Sequence, residues 1–194
     1  VVRNPGTFGG RDLVPRVSLL DPFAGLSDGD PGTFEKVEDV LNGTTVAALL
    51  LTPCKGLNVT KATAARATTD GLTTFDVAWS ATGNKFLDSI GLRNANISNI
   101  RVTIDPSLTG ANLVNTAAHE GLHVAVAQHL PNFAASAGRL PYIGAFPLYA
   151  EEVAAYGYGS VRAGQYGQAL LAPISAFGSL SAGQSISVLG TGTA

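Results

Sequence analysis

The chain is expected to fold as an α+β domain, helical with a small antiparallel sheet whose edge strand precedes its central helix. Three observations point there. TTFDVAWSA (73–81) and ISNIRVTIDPSL (97–108) place apolar residues mostly at even spacing, the period of a half-buried strand. NTAAHEGLHVAVAQHL (115–130) is alanine-rich and bounded by candidate caps and by Pro131, as a helix is. Pro147 then suits the first turn of a further helix, LYAEEVAAYGYG (148–159).

Taken in order, residues 1–33 scatter Pro, Gly and Asp through short apolar pieces and are expected to form an extended arm or linker. Thr33, or the Asp-Pro before it, can start a helix through FEKVEDVLNG (34–43), stopped by Gly43. TTVAALLLTP (44–53) reads as helix or buried strand. NKFLDSIGL (84–92) reads as a short helix closed by Gly91. After the strand around 97–108, ended by Pro106, Asn112 or Asn115 can cap the long helix. The segment 130–147 carries too much Pro and Gly for one regular element. The next helix continues or restarts through SVRAGQYGQALLA (160–172) before Pro173. The domain is therefore placed at 34–175, with 176–194 a Ser/Gly-rich, loosely held tail.

Composition narrows the function. Apolar residues make up 45% and charged residues 13%, with a net charge of −2 and no cluster of Lys or Arg. Such a surface has nothing to attract nucleic acid or an anionic membrane electrostatically. No apolar run approaches the roughly 18–20 residues of a membrane span. The single cysteine, Cys54, excludes an internal disulfide or a thiolate zinc cluster. The sequence contains no methionine, which suits a fragment released from a longer chain. The sequons at Asn42, Asn58 and Asn96 read as chance products of a chain rich in Asn, Thr and Ser.

All three histidines lie in HEGLHVAVAQH (119–129). On a helix, His119 and His123 project from one face on successive turns, so two imidazole nitrogens can meet one zinc ion. Glu120 is rotated to the neighbouring face, from which it can take a proton from water held by the metal and return it to a leaving amine. The charge pattern sharpens this reading. Beyond Asp105 the acidic residues are Glu120, Glu151 and Glu152 alone, and the basic ones Arg139 and Arg162. Ionised groups are costly in apolar surroundings unless paired or bound to a metal.

HEGLH followed by EEVAAY (151–156) resembles the zincin metallopeptidases of gluzincin type, over about residues 97–170. The resemblance implies a zincin-like fold, a zinc ion, peptide-bond hydrolysis with Glu120 as the catalytic base, and a third ligand from a later helix. In that register Glu152 is the ligand, followed by Ala155 and Tyr156. Glu151 is the alternative, or an acceptor that orients a ligand histidine. His129 stands at the spacing of a second zincin group, the metzincins. However, six residues at ~100° carry it about 240° around an unbroken helix, Val126 stands where that group has glycine, and no methionine can form its Met-turn; His129 suits a helix C-terminus instead. Tyr156 or Tyr149 would stabilise an oxyanion. The strand before the motif would hold an extended peptide by β-addition.

The same motifs look like the metallopeptidase domains at the C-termini of Rhs and other polymorphic toxins, and DPFAGL (21–26) echoes the DPxGL that ends Rhs cores. This implies an effector secreted or delivered into a target cell, with a protein or peptide substrate, and the parent polypeptide or an immunity protein as further partners. A secreted general peptidase, a noncatalytic zinc-stabilised binding domain and a metal-free helical interaction domain are the competing readings.

Overall fold

The computed structural model describes residues 31–33, 56–61, 70–135, 145–181 and 188–190. Among them helix and strand are mixed, as an α+β chain requires. The arm at 1–30, the helix expected at 34–43, the segment 44–53 and Cys54 lie outside the described residues.

The body of the sheet is β2 (Asn58–Lys61), β3 (Gly71–Ser80) and β4 (Asn94–Ile104). Three-residue strands, β1 (Pro31–Thr33) and β5 (Val188–Gly190), flank it, giving the order β1-β2-β4-β3-β5. β3 and β4 are antiparallel, from Gly71 opposite Ile104 to Ser80 opposite Asn94. Alternation works as the sequence suggests. Thr73, Phe75 and Val77 are buried on one face of β3, and Val102 and Ile104 are buried on β4. The register shifts between Thr74 and Asp76, and across from it Asn99 adopts φ +50° and donates through Nδ2 to Asp76 at 2.7 Å. The helix α1 (Lys85–Ser89) joins the two strands, capped by the Asn84 side chain and followed by Gly91 at φ +80°.

Two expectations about the sheet are corrected. It is mixed rather than antiparallel, because β2 runs parallel to β4 and β5 parallel to β3. β4 is not an edge strand either: β2 covers it along Arg101–Ile104, where fully buried Val59 pairs with fully buried Val102. β2 is a four-residue strand, NVTK, too short to show a period, so its docking beside β4 leaves no pattern in the sequence.

The long helix α2 (Gly110–His129) starts earlier than expected, after Thr109. Asn112 and Asn115 lie within it and cap nothing. Asn115 instead turns inward and donates to Gln165 Oε1 at 2.7 Å. α2 ends at His129 with Leu130 as its cap, and Pro131 opens the single turn α3 (Pro131–Ala134). One side of α2 buries Leu113, Val114, Ala117 and Val124 against Val59, Val102 and Ile104. Farther along, Ala127 packs with Phe75, Val77 and Ala95. No helix among the described residues is long and apolar enough to cross a membrane.

Helix α4 (Ala145–Arg162) holds Pro147 in its first turn. Gly164 ends it at φ +71°, where Gln165 N–H reaches back to the Ser160 carbonyl at 2.7 Å. The chain then restarts as α5 (Tyr166–Ala169) and α6 (Ala172–Ser181). Pro173 thus opens a helix rather than closing one, since a residue without an N–H is tolerated in a first turn. Residues 176–181, grouped with the tail by composition, form the second half of α6, and 188–190 pair with β3.

α4 lies so close to α2 that a Cβ at Gly159 would stand 2.5 Å from Asn115 Oδ1 and 2.6 Å from its carbonyl oxygen. The second contact is with backbone, so only separating the helices can relieve it. Gly159→Ala is expected to cost about 1–3 kcal/mol in urea denaturation.

Candidate metal centre

Four side chains from α2 and α4, His119, His123, Glu151 and Glu152, meet between the helices, and Glu120 of α2 is buried next to them on the side of β3. His123, Glu120, Glu151 and Glu152 are 3–5% exposed, and His119 lies at the more open side. Every acidic residue of the chain beyond Asp105 is therefore buried in one cluster. The four-residue spacing stacks His119 over His123, their rings edge to face with centroids 4.9 Å apart. α4 brings its carboxylates close because small residues line its inner side, with Ala155 fully buried and Gly159 against Asn115.

His119 Nε2 and His123 Nε2 stand 3.1 Å apart. Glu152 Oε2 is 3.5 Å from the first and Oε1 3.6 Å from the second. Four donors held tetrahedrally at zinc–nitrogen and zinc–oxygen distances would be roughly 3.3–3.5 Å from one another. Each imidazole faces a different oxygen of Glu152, and with one oxygen taken the three donor atoms lie within 4.8 Å of one another; nitrogen and carboxylate oxygen are ligand types that a small divalent cation takes. His119, His123 and Glu152 could hold a metal ion.

Glu151 and His129 lie outside that group. Glu151 Oε1 is 2.8 Å from His123 Nδ1, on the side of the ring away from His119. Donation from Nδ1 to this carboxylate fixes the tautomer and leaves the Nε2 lone pair facing the other ligand atoms. His129 is exposed at the last residue of an unbroken α2. Tyr156 packs edge-on against His119 with centroids 4.5 Å apart. Tyr149 points elsewhere, donating to the Pro173 carbonyl at 3.3 Å.

β3 contributes two residues that the sequence reading did not single out. Thr73 Oγ1 donates to Glu120 Oε2 at 2.6 Å, and Gly71 leaves the space that the Glu120 side chain fills. One signal was present: a hydroxyl residue on the face of β3 that Phe75 and Val77 devote to the core. The groove between β4 and the end of α2, lined by Ala95, Ile97, Ile100, Ala127 and Pro131, begins one turn beyond His123 and includes none of the centre's residues.

The electrostatics favour a cation. Burial works against protonated His123. The hydrogen bond to Glu151 and the charges of Glu120, Glu152 and Glu151 nevertheless raise it from 6.5 to about 9. Burial likewise opposes ionised Glu152, yet its hydrogen bond to His119 and the two imidazoles hold it below the ordinary carboxylate value. Burial raises the Tyr156 hydroxyl, the hydrogen bond with Ser179 opposes this, and nearby Glu152, Glu120 and Asp70 raise it further, so the phenol stays protonated.

A ligand nitrogen must lose its proton before it binds a metal, so a divalent cation competes with the proton on His123. The metal-free protein should keep the whole stabilising contribution of His123 below about pH 6.5 and lose it as the pH rises towards 9. Metal binding has the opposite dependence. Melting curves with chelator should fall in temperature across this window, while the increase produced by added zinc should be larger at pH 8 than at pH 6. No protein-family model matches this chain, and no curated protein or solved structure matches it.

Proposed function

We propose that the protein is a zinc-dependent endopeptidase with a gluzincin-type site, in which His119, His123 and Glu152 are the metal ligands. The observation that carries this reading is the meeting of two Nε2 atoms 3.1 Å apart with the Glu152 carboxylate, whose two oxygens lie 3.5 and 3.6 Å from them, next to a further buried acid, Glu120, in the helix of the two histidines. A sheet ahead of a histidine-bearing helix, and a second helix supplying the glutamates, agree with a zincin-like arrangement. An effector role, secreted or delivered into a target cell, rests on the sequence resemblance.

A bound zinc ion would polarise the scissile carbonyl and make water acidic enough to react near neutral pH. The chain's own residues do the rest. Glu120 takes the proton from the attacking water and delivers it to the amine as the peptide bond breaks. Glu151 holds the His123 ring in position through Nδ1. Tyr156, protonated and seated on His119, supplies a donor for the oxygen that becomes negative in the transition state. A zinc site that only stabilises the fold is the competing reading, favoured by the burial of Glu120.

Elemental analysis combined with peptide hydrolysis separates the two. Wild type should bind one zinc, and His119→Ala, His123→Ala and Glu152→Ala should lose it. Glu151→Ala should bind zinc with affinity lowered roughly 10–100-fold. Glu120→Gln should retain zinc and lose about 10²–10⁴-fold in hydrolysis. Undiminished zinc in both histidine variants would sink the proposal. Zinc binding that raises the melting temperature with no hydrolysis in wild type would leave only the stabilising role.

A further inference from the structure

We propose that β3 positions the catalytic base: Thr73 anchors the Glu120 carboxylate, and Gly71 leaves the gap in which it sits. This rests on the peptidase reading for its catalytic consequence, while the contact itself can be tested without zinc.

Gly71, Thr73, Phe75 and Val77 share one face of β3. Phe75 and Val77 are almost fully buried and apolar, as that face requires. Thr73 is only 2% exposed, and a hydroxyl in such a place is unfavourable unless it finds a partner. Its partner is Glu120 Oε2, 2.6 Å away, a distance typical of a hydroxyl donating to an ionised carboxylate. The same hydroxyl oxygen is 3.5 Å from the Glu120 carbonyl, so Thr73 sits over the helical turn that carries the base.

Gly71 closes the other side. A Cβ there would lie 2.6 Å from Glu120 Oε1, 2.8 Å from its Cγ and 2.8 Å from Thr116 Cγ2. The φ of Gly71 is not the reason for glycine, since the positive-φ glycines of the described residues are elsewhere. Absence of a side chain is what the position needs. One carboxylate oxygen is thus tied to Thr73, and the other lies over Gly71, which restrains a side chain that would otherwise have three free torsions. A base held in one rotamer meets its proton more often in the reactive geometry, and small displacements at such positions are costly in rate.

Thr73→Val removes the hydroxyl at nearly constant volume. It is expected to lower kcat by about ten- to a hundredfold and leave KM and zinc stoichiometry unchanged, because the substrate is not touched. Thr73→Ser keeps the donor and should restore most of the activity, which a purely packing role would not predict. Gly71→Ala, acting from the opposite side, should also lower kcat with zinc retained. In the metal-free protein, Thr73→Val should lower the denaturation midpoint, and that shift should largely vanish in a Glu120→Ala background. Equal shifts in both backgrounds, or full kcat in Thr73→Val, would overturn the proposal. If wild type hydrolyses no peptide, the peptidase reading falls, and the metal-free cycle alone decides whether Thr73 holds Glu120.

Discussion

The contact on which the centre depends is the approach of α4 to α2, closed at one end by His123 Nδ1 against Glu151 Oε1 at 2.8 Å and at the other by Asn115 Nδ2 on Gln165 Oε1 at 2.7 Å. Between them, Ala155 and Gly159 keep the helices close enough for carboxylate and imidazole to meet directly. Larger residues there would lengthen the distances from Glu152 and Glu151 to the two imidazoles. The second anchor lies outside the cluster of histidines and glutamates and helps to set how far along α2 the glutamates fall.

Burying three carboxylates in a half of the chain almost without other charges is unfavourable unless positive charge is supplied. In the absence of metal, a proton retained on His123 supplies part of it; a divalent cation would supply more and release that proton. One arrangement therefore explains both the raised His123 and the suitability of the group for a metal. Separating these acids would remove the reason for both.

The sheet takes part in the site as well as the core. β3 presents an apolar face at Phe75 and Val77 to the core, and the same face, two and four residues earlier, presents Thr73 and Gly71 to Glu120. Glu120 is thus held between a helix and a strand, while His119, His123 and Glu152 come from two helices. The groove beside β4 lies farther along α2, and β2 pairs with β4 along Arg101–Ile104, the part of the strand nearest the motif.

Local features were legible in the sequence because they are properties of single elements. The period of β3 and β4, the short helix closed by Gly91, the unbroken helix through Val126 and the four-residue spacing of His119 and His123 all depend on neighbours within a few positions. The same holds for the charge pattern that marked Glu120, Glu151 and Glu152. What depended on tertiary structure was decided by packing between elements. Glu151 and Glu152 are adjacent and differ by ~100° around α4, so only the way α4 lies on α2 directs Glu152 to the two Nε2 atoms and Glu151 to Nδ1 behind them. The parallel placement of β2, and the meeting of Thr73 with a glutamate 47 residues away, are likewise long-range pairings. By itself the sequence determined a helix able to present two imidazoles and an acid; the contact of that helix with α4 and β3 decided which partners those groups have.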